Sequence, residues 1–186
     1  RGQAALAMYS NKSIIIILLS GWTLFMSQFN IAVAGIENDE QNRLRLYVVF
    51  NNVPYKPGLQ TSWGFACLIK GLDKTVLFDT GGNGDILLSN MQQLGLNASA
   101  VDAIVLSHIH ADHTGGLESV LAYDSGVTVY MPESFPTSFR QELIDLGAAT
   151  DTVSEPRQLM DKVYSTGEMG LAVKEQALIV DTQQGL

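Results

Sequence analysis

The sequence predicts a layered α/β domain of the α+β kind, and three observations carry that prediction. Short apolar, β-branched segments recur along the chain after residue 43. Segments with helical spacing of apolar residues separate the middle ones. The order is strands first, then strand–helix alternation, then strands again, which suits sheet and helix layers better than a barrel or a bundle. No internal repeat or low-complexity tract interrupts it.

The elements follow in order. Segment 44–50 alternates and is rich in Val, so it reads as a strand. Segment 51–58 carries Asn, two Pro and Gly and reads as a loop. Segments 63–70 and 75–78 read as strands joined by the turn 71–74. Residues 79–84 form a glycine-rich loop at a strand end. Segment 86–94 has helical apolar spacing and a stop at Gly95. Segment 103–107 is a strand, 116–123 a short helix, 127–131 a strand and 134–146 a helix. Segment 150–158 reads as a loop. Strands follow near 163–165, 171–174 and 177–181.

Bulk properties limit the function classes. The 186 residues suit one domain, and a net charge of −8 without a basic stripe argues against nucleic acid as a partner. The expected partner is a small-molecule substrate. The single cysteine, Cys67, lies in an apolar run and reads as a small core residue rather than a nucleophile.

Residues 13–36 carry no charge; Lys12 precedes an apolar block, and Ala32-Val33-Ala34 closes the stretch. A positive residue, an apolar centre and an A-x-A exit are the parts of a secretory signal peptide. Met8 offers a start, with residues 1–7 as an upstream remnant. The expectation is a signal peptide or N-terminal anchor over 1–34, a linker over 35–43 and the domain over 44–186. Cleavage after Ala34 implies a periplasmic or secreted protein. Left uncleaved, the segment is long enough to anchor the chain in a membrane, facing outside the cytoplasm.

All three histidines fall in one stretch, His108-Ile109-His110-Ala111-Asp112-His113, directly after the apolar run 103–107. Histidines used for packing would not collect at this spacing. Imidazole is the commonest metal ligand near neutral pH, and the aspartate adds an anionic oxygen. In an extended segment, side chains two apart point the same way, so His108 and His110 are candidate ligands of one ion. Asp112 and His113 follow where the chain turns and suit a second ion nearby. Two metals about 3.5–4 Å apart can hold a hydroxide between them. Asp79 closes an earlier strand and is the candidate carboxylate for the far nitrogen of a metal-bound imidazole; a turn aspartate bonding its own loop is the competing reading. Mixed nitrogen and carboxylate ligands suit zinc first, with iron or manganese as alternatives.

Phe78-Asp79-Thr80-Gly81, followed by Leu106-Ser107 and the histidine stretch through Leu117, resembles the metallo-beta-lactamase superfamily, whose signature is H-x-H-x-D-H. Asn52, Trp63-Gly64-Phe65, Asn90, Leu94-Gly95-Leu96 and Glu175-Gln176-Ala177-Leu178 resemble its dihydropterin–ribofuranosylaminobenzene phosphate synthase-like branch. Asn51 departs from the Asp-Asn pair of that branch. The resemblance implies an αββα sandwich with two zinc ions at one edge. His108 and His110 would bind the first, Asp112 and His113 the second. The family's remaining ligands lie further along its sequence, and no histidine follows His113 here. The expectation is therefore a partial domain, truncated at the carboxyl terminus, that alone binds metal weakly and has little activity.

The function expected of the full-length form is a metal-dependent hydrolase. A metal-activated hydroxide, oriented by Asp112 as the catalytic residue, would attack an ester, amide, lactone or phosphoester. The alternatives are a non-catalytic exported metal-binding protein and a pterin-type condensing transferase.

Overall fold

A computed structural model describes residues 43–182. The leader segment 1–34 and nearly all of the linker lie outside the described residues. Six strands form one mixed sheet in sequence order: β1 (Arg45–Phe50), β2 (Ala66–Lys70), β3 (Val76–Phe78), β4 (Ala103–Val105), β5 (Thr128–Pro132) and β6 (Ala149–Val153). The first three pair antiparallel, β1 to β2 across the long loop 51–65 and β2 to β3 across the short turn 71–75, and β3 to β6 pair parallel. Parallel neighbours need crossovers, and these carry α1 (Gly84–Gln93), the short helices α2 (Ala111–Thr114) and α3 (Leu117–Leu121), and α4 (Thr137–Asp145). Right-handed crossovers that step always in one direction put every helix on one face of the sheet. A second, three-stranded sheet, β7 (Arg157–Met160), β8 (Val163–Ser165) and β9 (Leu178–Val180), covers the other face.

Side-chain alternation explains the two cores. Leu68, Leu77, Ile104, Val129 and Met131 point to the helices and meet Leu87, Met91, Leu117, Val120 and Leu143. Their neighbours Cys67, Ile69, Val76, Phe78 and Val105 point the opposite way and meet Val163, Leu178 and Val180 of the second sheet. Strands buried on both faces read as unbroken apolar runs, as 66–69 and 103–106 do. Cys67 lies in the second core, where burial pushes its thiol up to about 12.

Helix α1 starts two residues before the expected 86 and stops at Gly95 as expected. The Asn83 side chain accepts from Ile86 N at 3.0 Å and caps the start. At the end Gly95 adopts φ 69°, while the Gly95 and Leu96 amides bond to the Gln92 and Met91 carbonyls. This termination needs a left-handed residue, and glycine adopts it without a Cβ clash.

Three segments differ from expectation. Segment 150–158 contains β6 and the start of β7 rather than a loop. In Ala149–Val153 only Val153 is buried, so this sheet-edge strand carries little apolar alternation. Segment 171–174 bends instead of extending; Leu171 stands almost fully in solvent at the tip of a loop closed by a Met169–Glu175 bridge. The helix expected over 116–123 is α3, and an unexpected short helix precedes it, because the histidine stretch itself turns into α2. Among the described residues no helix is long and apolar enough to cross a membrane.

Candidate metal centre

Strands β3 and β4 lie side by side and parallel, so their carboxyl ends deliver Asp79 and Ser107-His108 to one place. The Asp79 amide donates to the Val105 carbonyl at 2.9 Å and continues the ladder. Its backbone then leaves the sheet at φ 57°, the left-handed region that Asp tolerates better than most residues. This turn directs a fully buried carboxylate across the end of β4. Oδ1 accepts from the Ser107 amide at 2.7 Å; Oδ2 accepts from the Ser107 hydroxyl at 2.7 Å and from His113 Nδ1 at 2.8 Å.

Helix α2 brings the other end of the motif back to the same point. Thr80 clamps it, with amide and hydroxyl both donating to the His113 carbonyl, at 2.8 and 3.0 Å. The approach leaves no room for side chains: a Cβ on Gly116 would strike the Thr80 carbonyl.

The structure thus gathers all four motif residues with Asp79. His108 and His113 are buried, Asp112 is half-buried and His110 is exposed. The His108 ring centroid lies 4.2 Å from that of His113 and 4.7 Å from that of His110. Ligating atoms of His108, Asp112 and His113 all lie within 4.8 Å of one another. His110 joins this group through His108, with Nδ1 3.1 Å from His108 Nε2.

Hydrogen-bond logic fixes which nitrogens face the cluster. Because the Ser107 hydroxyl donates to Asp79, its oxygen accepts from His108 Nδ1 at 3.0 Å. His113 Nδ1 donates to Asp79. When neutral, both rings therefore present Nε2 with a lone pair inward. With the ring neutral, His113 Nε2 faces Asp112 Oδ2 at 3.4 Å, acceptor against acceptor. Such a pair calls for a positive charge between its members, so the donor set fits a divalent cation.

The two rings titrate in opposite directions, and without a cation a proton on His113 Nε2 is what relieves its contact with Asp112. Burial opposes charge on His113, but the hydrogen bond and charge of Asp79, then the charges of Asp112 and Glu175, outweigh it and raise its pKa. Burial, followed by the His113 and His110 charges, lowers His108 to about 4 despite Asp112. Burial raises Asp79, and its bonds to His113 and Ser107 offset part of that.

Sequence reasoning overlooked three contributors. Ser107 couples Asp79 to His108. Gln176 donates through Nε2 to the Leu106 carbonyl at 2.8 Å and through its amide to the Ser107 carbonyl at 2.9 Å. Ser165 donates to Gln176 Oε1 at 2.6 Å. The available signal was a glutamine adjoining the apolar run 177–180.

With fold and cluster in place, comparison decides the family: the metallo-beta-lactamase superfamily profile matches residues 60–179. The chain belongs to the metallo-beta-lactamase superfamily. A curated relative, 7,8-dihydropterin-6-methyl-4-(beta-D-ribofuranosyl)-aminobenzene-5'-phosphate synthase of Methanocaldococcus jannaschii, is 29% identical over 117 residues. That match takes in 53% of this chain and 40% of the relative's length. A metallo-beta-lactamase candidate from Thermotoga maritima has a similar fold, with TM-score 0.54, 19% identity, 76% of this chain covered and 74% of that one. Human tRNase Z, short form, gives TM-score 0.54 at 16% identity, covering 73% and 64%. The superfamily's fold accounts for the helix layer and two sheets, and the cluster lies at the strand ends between them.

Proposed function

We propose that the full-length protein is a metal-dependent hydrolase acting on a small-molecule ester, amide, lactone or phosphoester. One observation carries this reading: His108, Asp112 and His113 converge their ligating atoms within 4.8 Å while Asp79 and Ser107 hold the rings from behind. His108, His110, Asp112 and His113 would hold the metal, with zinc the first choice and iron or manganese alternatives. When bound, a divalent cation supplies Lewis acidity and brings the pKa of a water to about 7. Asp79 and Ser107 keep the Nδ1 protons of His113 and His108 in place, so both rings present Nε2. Asp112, half in solvent, is the catalytic candidate that orients the attacking water.

A second reading is favoured by the synthase relative: a pterin-type condensing transferase built on the same metal centre. Net charge of −8 without a basic stripe supports a small molecule over RNA, although tRNase Z shares the fold. The leader-like segment 1–34 supports action outside the cytoplasm, and cell fractionation would test it.

The deciding experiment measures metal content by elemental analysis after dialysis, then turnover of a model ester and a model phosphodiester. Native full-length protein should retain metal and turn over one substrate, and H108A should lose both. Metal without any hydrolysis would sink the hydrolase reading in favour of the transferase or a non-catalytic metal-binding protein.

A further inference from the structure

The loop that carries His108 leaves the sheet at Val105, yet its carbonyls remain among buried residues. Leu106 N still bonds the Tyr130 carbonyl at 2.8 Å, and Asp79 takes the Ser107 amide. The carbonyls of Leu106 and Ser107 are satisfied by one residue of the opposite sheet layer. Gln176 is only 2% exposed and lies just before β9. Its carboxamide nitrogen reaches the Leu106 carbonyl and its amide the Ser107 carbonyl. Ser165 at the end of β8 fixes the carboxamide by donating to Oε1, and Ser165 Oγ in turn accepts from the Gly167 amide at 2.9 Å. The orientation of the Gln176 side chain is therefore determined at both ends.

Resting on the reading of the cluster as a metal centre, we propose that Gln176 is a positioning residue for His108, acting from the second sheet through the Leu106 and Ser107 carbonyls. Asp79 sets which His108 and His113 nitrogens face inward; Gln176 sets where the His108 backbone places its ring. The Ser107 peptide is held from both layers, its amide by Asp79 and its carbonyl by Gln176. Loosening one layer lets the His108 Nε2 drift from Asp112 and His113 without removing any ligand.

The test is Co(II) titration of the full-length protein, read by visible absorption, for native protein, Q176M, S165A and H108A. Methionine keeps the length and apolar bulk of glutamine but cannot donate to Leu106. Q176M should keep the native Co(II) stoichiometry, bind about tenfold more weakly and show an altered ligand-field band. S165A, which frees the carboxamide without removing it, should move affinity and band the same way by less. A Q176M protein that melts earlier yet binds Co(II) with native affinity and band would overturn the proposal, since a purely structural role predicts that result. If Q176M does not fold, an unchanged S165A overturns it instead. If native protein binds no Co(II), the metal reading itself fails and takes this one with it.

Discussion

The inner and outer halves of the cluster are built on opposite rules. On the inner half, Asp79, Ser107 and the Nδ1 atoms of His108 and His113 are buried, and every donor meets an acceptor. On the outer half, Asp112 and His110 reach solvent, and the Asp112 carboxylate faces Nε2 of His113, two acceptors when the ring is neutral. A buried polar group without a partner costs stability, so the inner half belongs to the folded state. Facing acceptors are tolerable only near water or around a cation, so the outer half belongs to binding. The two halves meet in the same imidazole rings.

Removing the shared inner carboxylate should give the largest effect. Asp79→Ala strips the acceptor from the Ser107 amide, the Ser107 hydroxyl and His113 Nδ1, and puts alanine at φ 57°. The expected loss is about 3 kcal/mol or more, measured by urea unfolding in chelator. A loss below about 1 kcal/mol would show that the inner half is not a folding element.

The acid side of the stability profile sharpens the contrast next. His108 has a folded-state pKa of about 4 against an ordinary 6.5. Between those values the unfolded chain binds a proton that the folded chain refuses, so stability falls as pH drops from about 6.5 toward 4. In chelator, H108A should show a shallower fall over that window than native protein. Parallel curves would mean that His108 protonates as freely folded as unfolded.

Much of this was legible because sequence carries local physics well. The apolar runs 66–69 and 103–106 announce strands buried on both faces, and Gly95 announces a helix end. The H-x-H-x-D-H spacing and Asp79 at a strand end point to the cluster before any contact is seen. The misses are non-local. Strand β6 gains its pairing from β5 and not from its own pattern, so Ala149–Val153 looks like a loop. Leu171 has the composition of a strand but tips a bend that nothing covers. Gln176 matters because the second sheet folds back under the histidine loop, 70 residues from the carbonyl it serves.

On the outer half, Asp112→Asn should separate binding from folding. The residue is partly in solvent, and its side chain lies 3.4 Å from His113. Stability in chelator should change by no more than about 0.5 kcal/mol. Metal retained after dialysis should nevertheless drop, because an amide replaces the anionic oxygen. A destabilisation as large as that of Asp79→Ala would erase the distinction between the halves.

The smallest effect should come from His110→Ala, and it is informative because the fold gives little reason for it. His110 is exposed, so unfolding in chelator should again stay within about 0.5 kcal/mol of native. Its ring does, however, touch His108 Nε2 at 3.1 Å, and its charge is one of the causes that hold His108 low. Deleting it removes a neighbouring positive charge, so His108 should protonate at a higher pH than in native protein while remaining below its ordinary value. Burial is the larger cause and stays in place. Imidazole NMR titration of the chelated chain reads this directly. A His108 titration unmoved by the substitution would mean that the two rings do not share a field, and that His110 stands outside the cluster.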